Sequence, residues 1–261
     1  MSILVVVKVS DGIALATDSA VVYPDDRGGL RTFATADKLL QLHDELPVAV
    51  LVTGTNAIGH GTVQFWTQVL KRAFTGTEFP SYTVDTSSYQ LKEIAAKATQ
   101  VLGESIKKSW DDESYSLGLV FAGYSSDSLM PEVWEVAIRS NGTVVEGPTQ
   151  TLSGEETGIR VYGQPQVAER IIYGFDRCLM AEMVTIAPRD ALVELLRKNQ
   201  WNVLGPYLPL PDAAALARYF VEVTAGISPY VPSQVTVRHP VDVATLSKHN
   251  GFRWIDRKDT Y

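Results

Sequence analysis

The chain holds a single cysteine, Cys178, among 261 residues, so an internal disulfide and a cysteine-rich zinc site are both excluded. Positive charge is in the minority: 23 Lys and Arg face 30 Asp and Glu, for a net charge of −7. Non-specific nucleic-acid affinity needs clustered basic residues, so no nucleic-acid partner is expected. Long apolar runs are missing too. Ile3 to Val7 is five residues long and stops at Lys8. A secretory core needs roughly 7–15 apolar residues and a membrane helix roughly 20. The sequence therefore reads as a protein of the reducing cytoplasm with no membrane partner. What is abundant is core material: 45% of residues are hydrophobic and 20% charged, which excludes intrinsic disorder.

Periodicity divides the chain into blocks. Ile3 to Val9 is rich in β-branched residues, Asp11-Gly12 supplies a turn, and Ile13 to Thr17 follows, so the chain opens on a β-hairpin. A loop at Pro24 to Gly29 precedes Thr32 to Leu42, of which Ala36 to Leu42 is strand-like. Pro47 to Thr53 reads as a buried strand running into Gly54. Val63, Trp66, Leu70 and Phe74 recur at helical spacing, as do Leu91, Ile94, Ala98, Val101 and Ile106. Strands return at Leu117 to Ala122, Val133 to Ile138 and Thr143 to Glu146, with an Asn141-Gly142 turn between the last two. A helix from Pro165 is expected to bury Ile171, Ile172, Phe175 and Leu179, with Cys178 an inert core thiol on the same face. Pro188 marks a further helix start, and Asp212 is the expected cap of another. Val235 to Leu246 and Phe252 to Ile255 close the chain as strands. Strands grouped in blocks argue against a doubly wound parallel sheet. They predict one α+β domain over residues 1–261, with two antiparallel sheets packed together and helices covering both outer faces.

Most familiar chemical motifs fail. Gly54 to Gly61 (GTNAIGHG) has the glycine spacing of a phosphate loop but not its Lys and Ser/Thr. There is no G-x-S-x-G elbow. The four histidines show no ligand spacing, so no metal and no cofactor is expected. Asp111 to Glu113 is read as a solvated acidic run.

The N-terminus reads differently. Ser2 is small enough for the initiator Met1 to be removed, which leaves an α-amine beside a hydroxyl. An α-amine with a pKa of about 7.7–8.0 is partly neutral at physiological pH and can take the hydroxyl proton. Such a centre needs a carboxylate, a cation and an N–H donor for the oxyanion. Asp18 ends the second strand, sixteen residues after Ser2. Lys38 lies in a strand-like stretch, and Gly54 ends the buried strand.

Those residues sit in Asp11 to Ser19 (DGIALATDS), Ala36 to Leu39 (ADKL) and Ala49 to Gly54 (AVLVTG). In this order they resemble the proteasome β-subunit family, with its bacterial proteasome-like and ancestral β-subunit branches, among the N-terminal nucleophile hydrolases. Phe121 to Tyr124 (FAGY), Tyr162 to Gln164 (YGQ), Pro240 to Ala244 (PVDVA) and Gly251 to Ile255 (GFRWI) are similar to later segments of that family. The resemblance implies a four-layer αββα sandwich. It further implies Ser2 as nucleophile, Asp18 and Lys38 as its supporting pair, and the Gly54 N–H as oxyanion donor. The substrate would be a peptide or protein. The partner would be the chain itself, in a homo-oligomeric ring or related assembly, with room for a regulatory partner. The sequence departs from the family in having Ser for the usual Thr, Ala20 for Arg, a longer interval from Asp18 to Lys38, and Val237 to His239 (VRH) where an Asp-x-x-Ser-Gly-Gly stretch is usual. A catalytically inactive scaffold with the same fold is the alternative reading.

Overall fold

A computed structural model describes residues 2–24, 29–55, 57–58, 61–76, 80–107, 116–139, 144–205, 207–231 and 237–258. The strands of the first half are β1 (Ile3–Val9), β2 (Gly12–Asp18), β3 (Val21–Pro24), β4 (Leu30–Phe33), β5 (Leu39–Gln41), β6 (Val48–Gly54), β7 (Ala57–Ile58) and β8 (Gly61–Thr62). Helices α1 (Val63–Phe74) and α2 (Leu91–Lys107) follow, then β9 (Ser116–Gly123), β10 (Glu132–Arg139), β11 (Val144–Leu152) and β12 (Gly158–Gly163). Helices α3 (Gln166–Tyr173), α4 (Arg177–Ile186), α5 (Arg189–Asn199) and α6 (Leu210–Ile227) precede β13 (Val241–Ser247) and β14 (Gly251–Asp256).

The result is a mixed α/β fold of antiparallel sheets and helices. One five-stranded sheet runs β12-β1-β2-β13-β14 and a second runs β11-β10-β9-β6-β5. All seven residues of β1 and of β2 are buried, and their largely apolar runs, Ile3 to Val7 and Ile13 to Ala16, suit central strands covered on both faces. Alternate residues serve different neighbours. Leu4, Val6, Ile13 and Leu15 join Leu39, Leu51, Val120 and Ala122 of the second sheet in one apolar cluster. Ile3, Val5, Val7, Ala14 and Ala16 instead meet Ala213, Ala217, Phe220 and Val221 of α6. The small alanines on α6 let that helix lie close against the strands. On the second sheet, Val48, Val50 and Phe121 pack with Leu70 and Phe74 of α1 and with Leu91, Ile94 and Ala98 of α2.

Local chemistry sets the ends of the elements. The Thr62 hydroxyl accepts the Phe65 N–H at 3.2 Å and starts α1 where the apolar periodicity begins. The helix expected to run on from Pro165 is instead two. Gly174 closes α3 in the left-handed conformation, and Asp176 restarts the chain by accepting the Cys178 and Leu179 N–H groups. That break overturns the expected burial: Leu179 is 42% exposed and Cys178 is exposed as well. Asp212 does not cap α6. Pro209 holds the cap position, and Asp212 stands in the first turn, where its charge suits the helix dipole. Strands β3, β4, β7, β8 and β12 were not foreseen, and β11 runs six residues past Glu146. The edge position of β11 accommodates Pro148 and a polar run. The Asn141-Gly142 turn, the Asp111 to Glu113 run and His60 lie outside the described residues.

Among the described residues no helix is long and apolar enough to cross a membrane, and no group of three His, Cys, Asp or Glu could hold a metal ion. Lys8, the one charge in β1, is buried, and its ammonium donates to the carbonyls of Ser153 (2.9 Å) and Gly154 (2.6 Å). Burial pulls its pKa down to about 8.

Candidate active site

The opening hairpin sets the site. β1 and β2 pair with Leu4 opposite Thr17, which returns Asp18 to the start of β1. One carboxylate oxygen of Asp18, Oδ1, accepts both the Ile3 N–H at 3.0 Å and the Lys38 ammonium at 2.9 Å. Its other oxygen accepts the Ala20 N–H at 3.1 Å. The carboxylate therefore ties the backbone next to Ser2 directly to the cation.

Lys38 precedes β5 rather than lying inside it, which corrects the expectation of a strand residue. Its backbone is still fixed on both sides. The Lys38 carbonyl accepts the Val52 N–H at 2.8 Å, and the Ala36 N–H donates to the Ser19 carbonyl at 3.0 Å. Lys38 and Asp18 are both buried. Burial pushes the Asp18 carboxyl up and the Lys38 ammonium down, and their mutual attraction opposes both shifts. Ionisable groups perturbed by burial and a specific charge partner are concentrated at functional sites.

Ser2 is 2% exposed. Its carbonyl accepts the Gln164 N–H at 2.9 Å, just beyond the end of β12. Gly163 stands opposite Ile3 with φ +80°, and a Cβ built there would lie 1.8 Å from the Ser2 carbonyl oxygen and 3.4 Å from Thr53 Oγ1. Only glycine fits both the conformation and the space. The same geometry brings the Thr53 hydroxyl, near the end of β6, close to the Ser2–Gly163 junction. Gly54 ends that strand with φ +95°.

Beside this centre is a cleft of about 310 Å³, with walls that include Tyr23, Phe33 and Val52 and with Asp37 and Lys38 among its polar groups. A second buried charge cluster adjoins it. Lys258 donates to Asp242 Oδ2 and pairs with Asp37 Oδ1 at 2.9 Å, and the Asp37 carboxylate also accepts the Gln64 amide at 2.6 Å. Sequence reasoning assigned no role to Asp37, Asp242 or Lys258. The one available signal was the lone carboxylate of Asp242 inside the apolar strand Val241 to Leu246.

No family model matches the chain, and no curated protein matches it. Among solved structures it is similar to the Gly-1 mutant of Anbu from Hyphomicrobium sp. strain MC1. The identity is 14% and the TM-score 0.56, over 100% of this chain and 90% of that one. At that identity the likeness shows the fold alone. The expected membership of the proteasome β-subunit family is therefore corrected, because the likeness does not extend to a family sequence pattern. The residues that suggested membership lie chiefly in a tight turn and buried apolar strands, features that a hairpin and a sheet core demand on physical grounds.

Proposed function

We propose that the chain is an N-terminal nucleophile hydrolase of peptide or amide bonds, built as one domain on a four-layer αββα sandwich. The three apolar clusters support that layering: helix on sheet, sheet on sheet, and sheet on helix. The observation that carries the chemistry is the shared Asp18 oxygen, which joins the Ile3 N–H to the Lys38 ammonium.

With Met1 removed, Ser2 Oγ attacks the substrate carbonyl carbon while its own α-amine takes the hydroxyl proton. Lys38, held by Asp18, stabilises the developing alkoxide, and the Gly54 N–H donates to the oxyanion. The C–N bond then breaks, and the amine leaves with the proton from the α-ammonium. Water, deprotonated by the α-amine, releases the acyl group and restores Ser2. The cleft beside Lys38 would take an apolar side chain of a peptide. Self-association fits the helices that follow β12: no residue of α4 is buried, and Ile186 is 85% exposed.

The second reading is an inactive scaffold, and the near-complete burial of Ser2 favours it. Intact mass before and after a serine-reactive β-lactone separates the two. The hydrolase reading expects a chain without Met1 that gains a single adduct, lost in Ser2→Ala. A chain that keeps Met1, or loses it and never labels, leaves the scaffold.

A further inference from the structure

The candidate mechanism uses Asp18 and Lys38 and leaves the adjoining cluster without a task. That cluster is unusual in its placement. Asp242 lies on β13 opposite Thr17, and Val241 lies opposite Asp18, so the strand carrying Asp242 is the immediate neighbour of the strand carrying Asp18. Asp37 is the residue before Lys38 and lines the cleft. Lys258, two residues beyond β14, spans the gap between them. Its backbone N–H donates to Asp242 Oδ1 at 2.9 Å, its ammonium donates to Asp242 Oδ2, and the same ammonium meets Asp37 at 2.9 Å. All three side chains are at most 9% exposed.

Buried ion pairs seldom stabilise a fold beyond what apolar packing would give, so a second one beside a reactive pair calls for a role. We propose that Lys258 is a positioning residue for the candidate active site. By clamping Asp37 to Asp242 it fixes the segment that presents Lys38 to Asp18, and it places a second cation near the first. This rests on the hydrolase reading for its purpose but not for its test.

The charged groups facing Lys38 are Asp18 on β2, Asp242 on β13 and Lys258 after β14, with Asp37 next to it in the chain. After burial and Asp18, the Lys258 charge pulls the Lys38 ammonium down and the Asp242 charge pushes it up. Removing either therefore shifts Lys38 in opposite directions. A variant that merely loosened the site would move Lys38 toward its ordinary value whichever residue was changed.

The experiment follows the ε-carbon resonance of Lys38 by NMR through a pH titration of the full-length protein, assigned with Lys38→Arg. Lys258→Met is expected to move the Lys38 titration to higher pH, and Asp242→Asn to move it to lower pH. Circular dichroism checks that each variant is folded. The rate of β-lactone labelling at Ser2 is expected to fall roughly 10- to 100-fold in Lys258→Met, the scale on which small misplacements act. Lys258→Arg is expected to recover most of that rate. Titration at the wild-type pH in folded Lys258→Met, or upward shifts in both variants, overturns the proposal. If Lys258→Met does not fold, the direction seen in Asp242→Asn decides alone. If the wild type never labels, the hydrolase reading fails, while the two NMR shifts still decide what Lys258 does to Lys38.

Discussion

Asp18 is asked to do three things at once: hold the backbone beside Ser2, hold Lys38 and close the turn at Ala20. Its pair with Lys38 is nonetheless costly, since burial works against the charge on each. Removing one partner alone, as in Lys38→Ala, leaves an unpaired buried carboxylate and is expected to cost about 3–5 kcal/mol in denaturant melts. Replacing both, with Asp18→Asn and Lys38→Met, is expected to leave stability equal to or above wild type while abolishing reactivity at Ser2. The pH dependence follows from the signs. Asp18, raised by folding, contributes stability at low pH that is lost as pH rises through its folded value. Lys38, lowered by folding, contributes at high pH and loses that as pH falls through its folded value. The double variant's advantage is therefore greatest between those limits, around neutral pH. Asp18 was legible in the sequence because it ends the second strand of a short hairpin, sixteen residues after Ser2, and Lys38 because it follows in a strand-like stretch in the same order. Asp242 and Lys258 were not, because a lone charge in a strand or beyond one has no local pattern, and only the pairing of β13 with β2 gives it meaning. Cys178 was misread for a related reason. Its helical face depends on where the helix begins, and the Asp176 cap moved that start.

Among the elements, β1 was the most legible, since its β-branched run and the Asp11-Gly12 turn after it together mark a hairpin strand. β12 was the least. Only four residues, Ile159 to Tyr162, stand between its flanking glycines, and its place is set by pairing with β1 rather than by its own propensity. The junction of the two strands is the tightest backbone contact at the site. Gly163→Ala is expected to destabilise the protein by more than the ~1–2 kcal/mol that a left-handed residue costs alone, because its Cβ would overlap the Ser2 carbonyl. Thermal melts and Ser2 labelling, measured together, check this: both should fall. A variant that melts normally and labels normally would mean that the junction can open without consequence.

At the scale of the molecule, the block order of strands and helices foretold two antiparallel sheets with helices against them. It did not foretell a helical pair that buries so little. Leu179, Val184 and Ile186 of α4 and Leu195 of α5 are all exposed. If that surface joins copies of the chain, Ile186→Lys combined with Leu195→Lys should lower the sedimenting mass while leaving the circular dichroism unchanged. An unaltered mass would place any self-contact elsewhere.

The charge pair at the site also crosses between the sheets. Asp18 belongs to the first sheet, and Lys38 enters from the edge of the second, held there by Val52. Ser2 and Asp18 are brought together by one short hairpin, a contact that forms locally and early in a folding chain. The ammonium arrives only when the two sheets dock. A chain caught halfway, at synthesis or during partial unfolding, has the hydroxyl and the carboxylate but not the cation that completes them. On the hydrolase reading, reactivity then marks the finished fold, and a half-made copy is harmless to its neighbours.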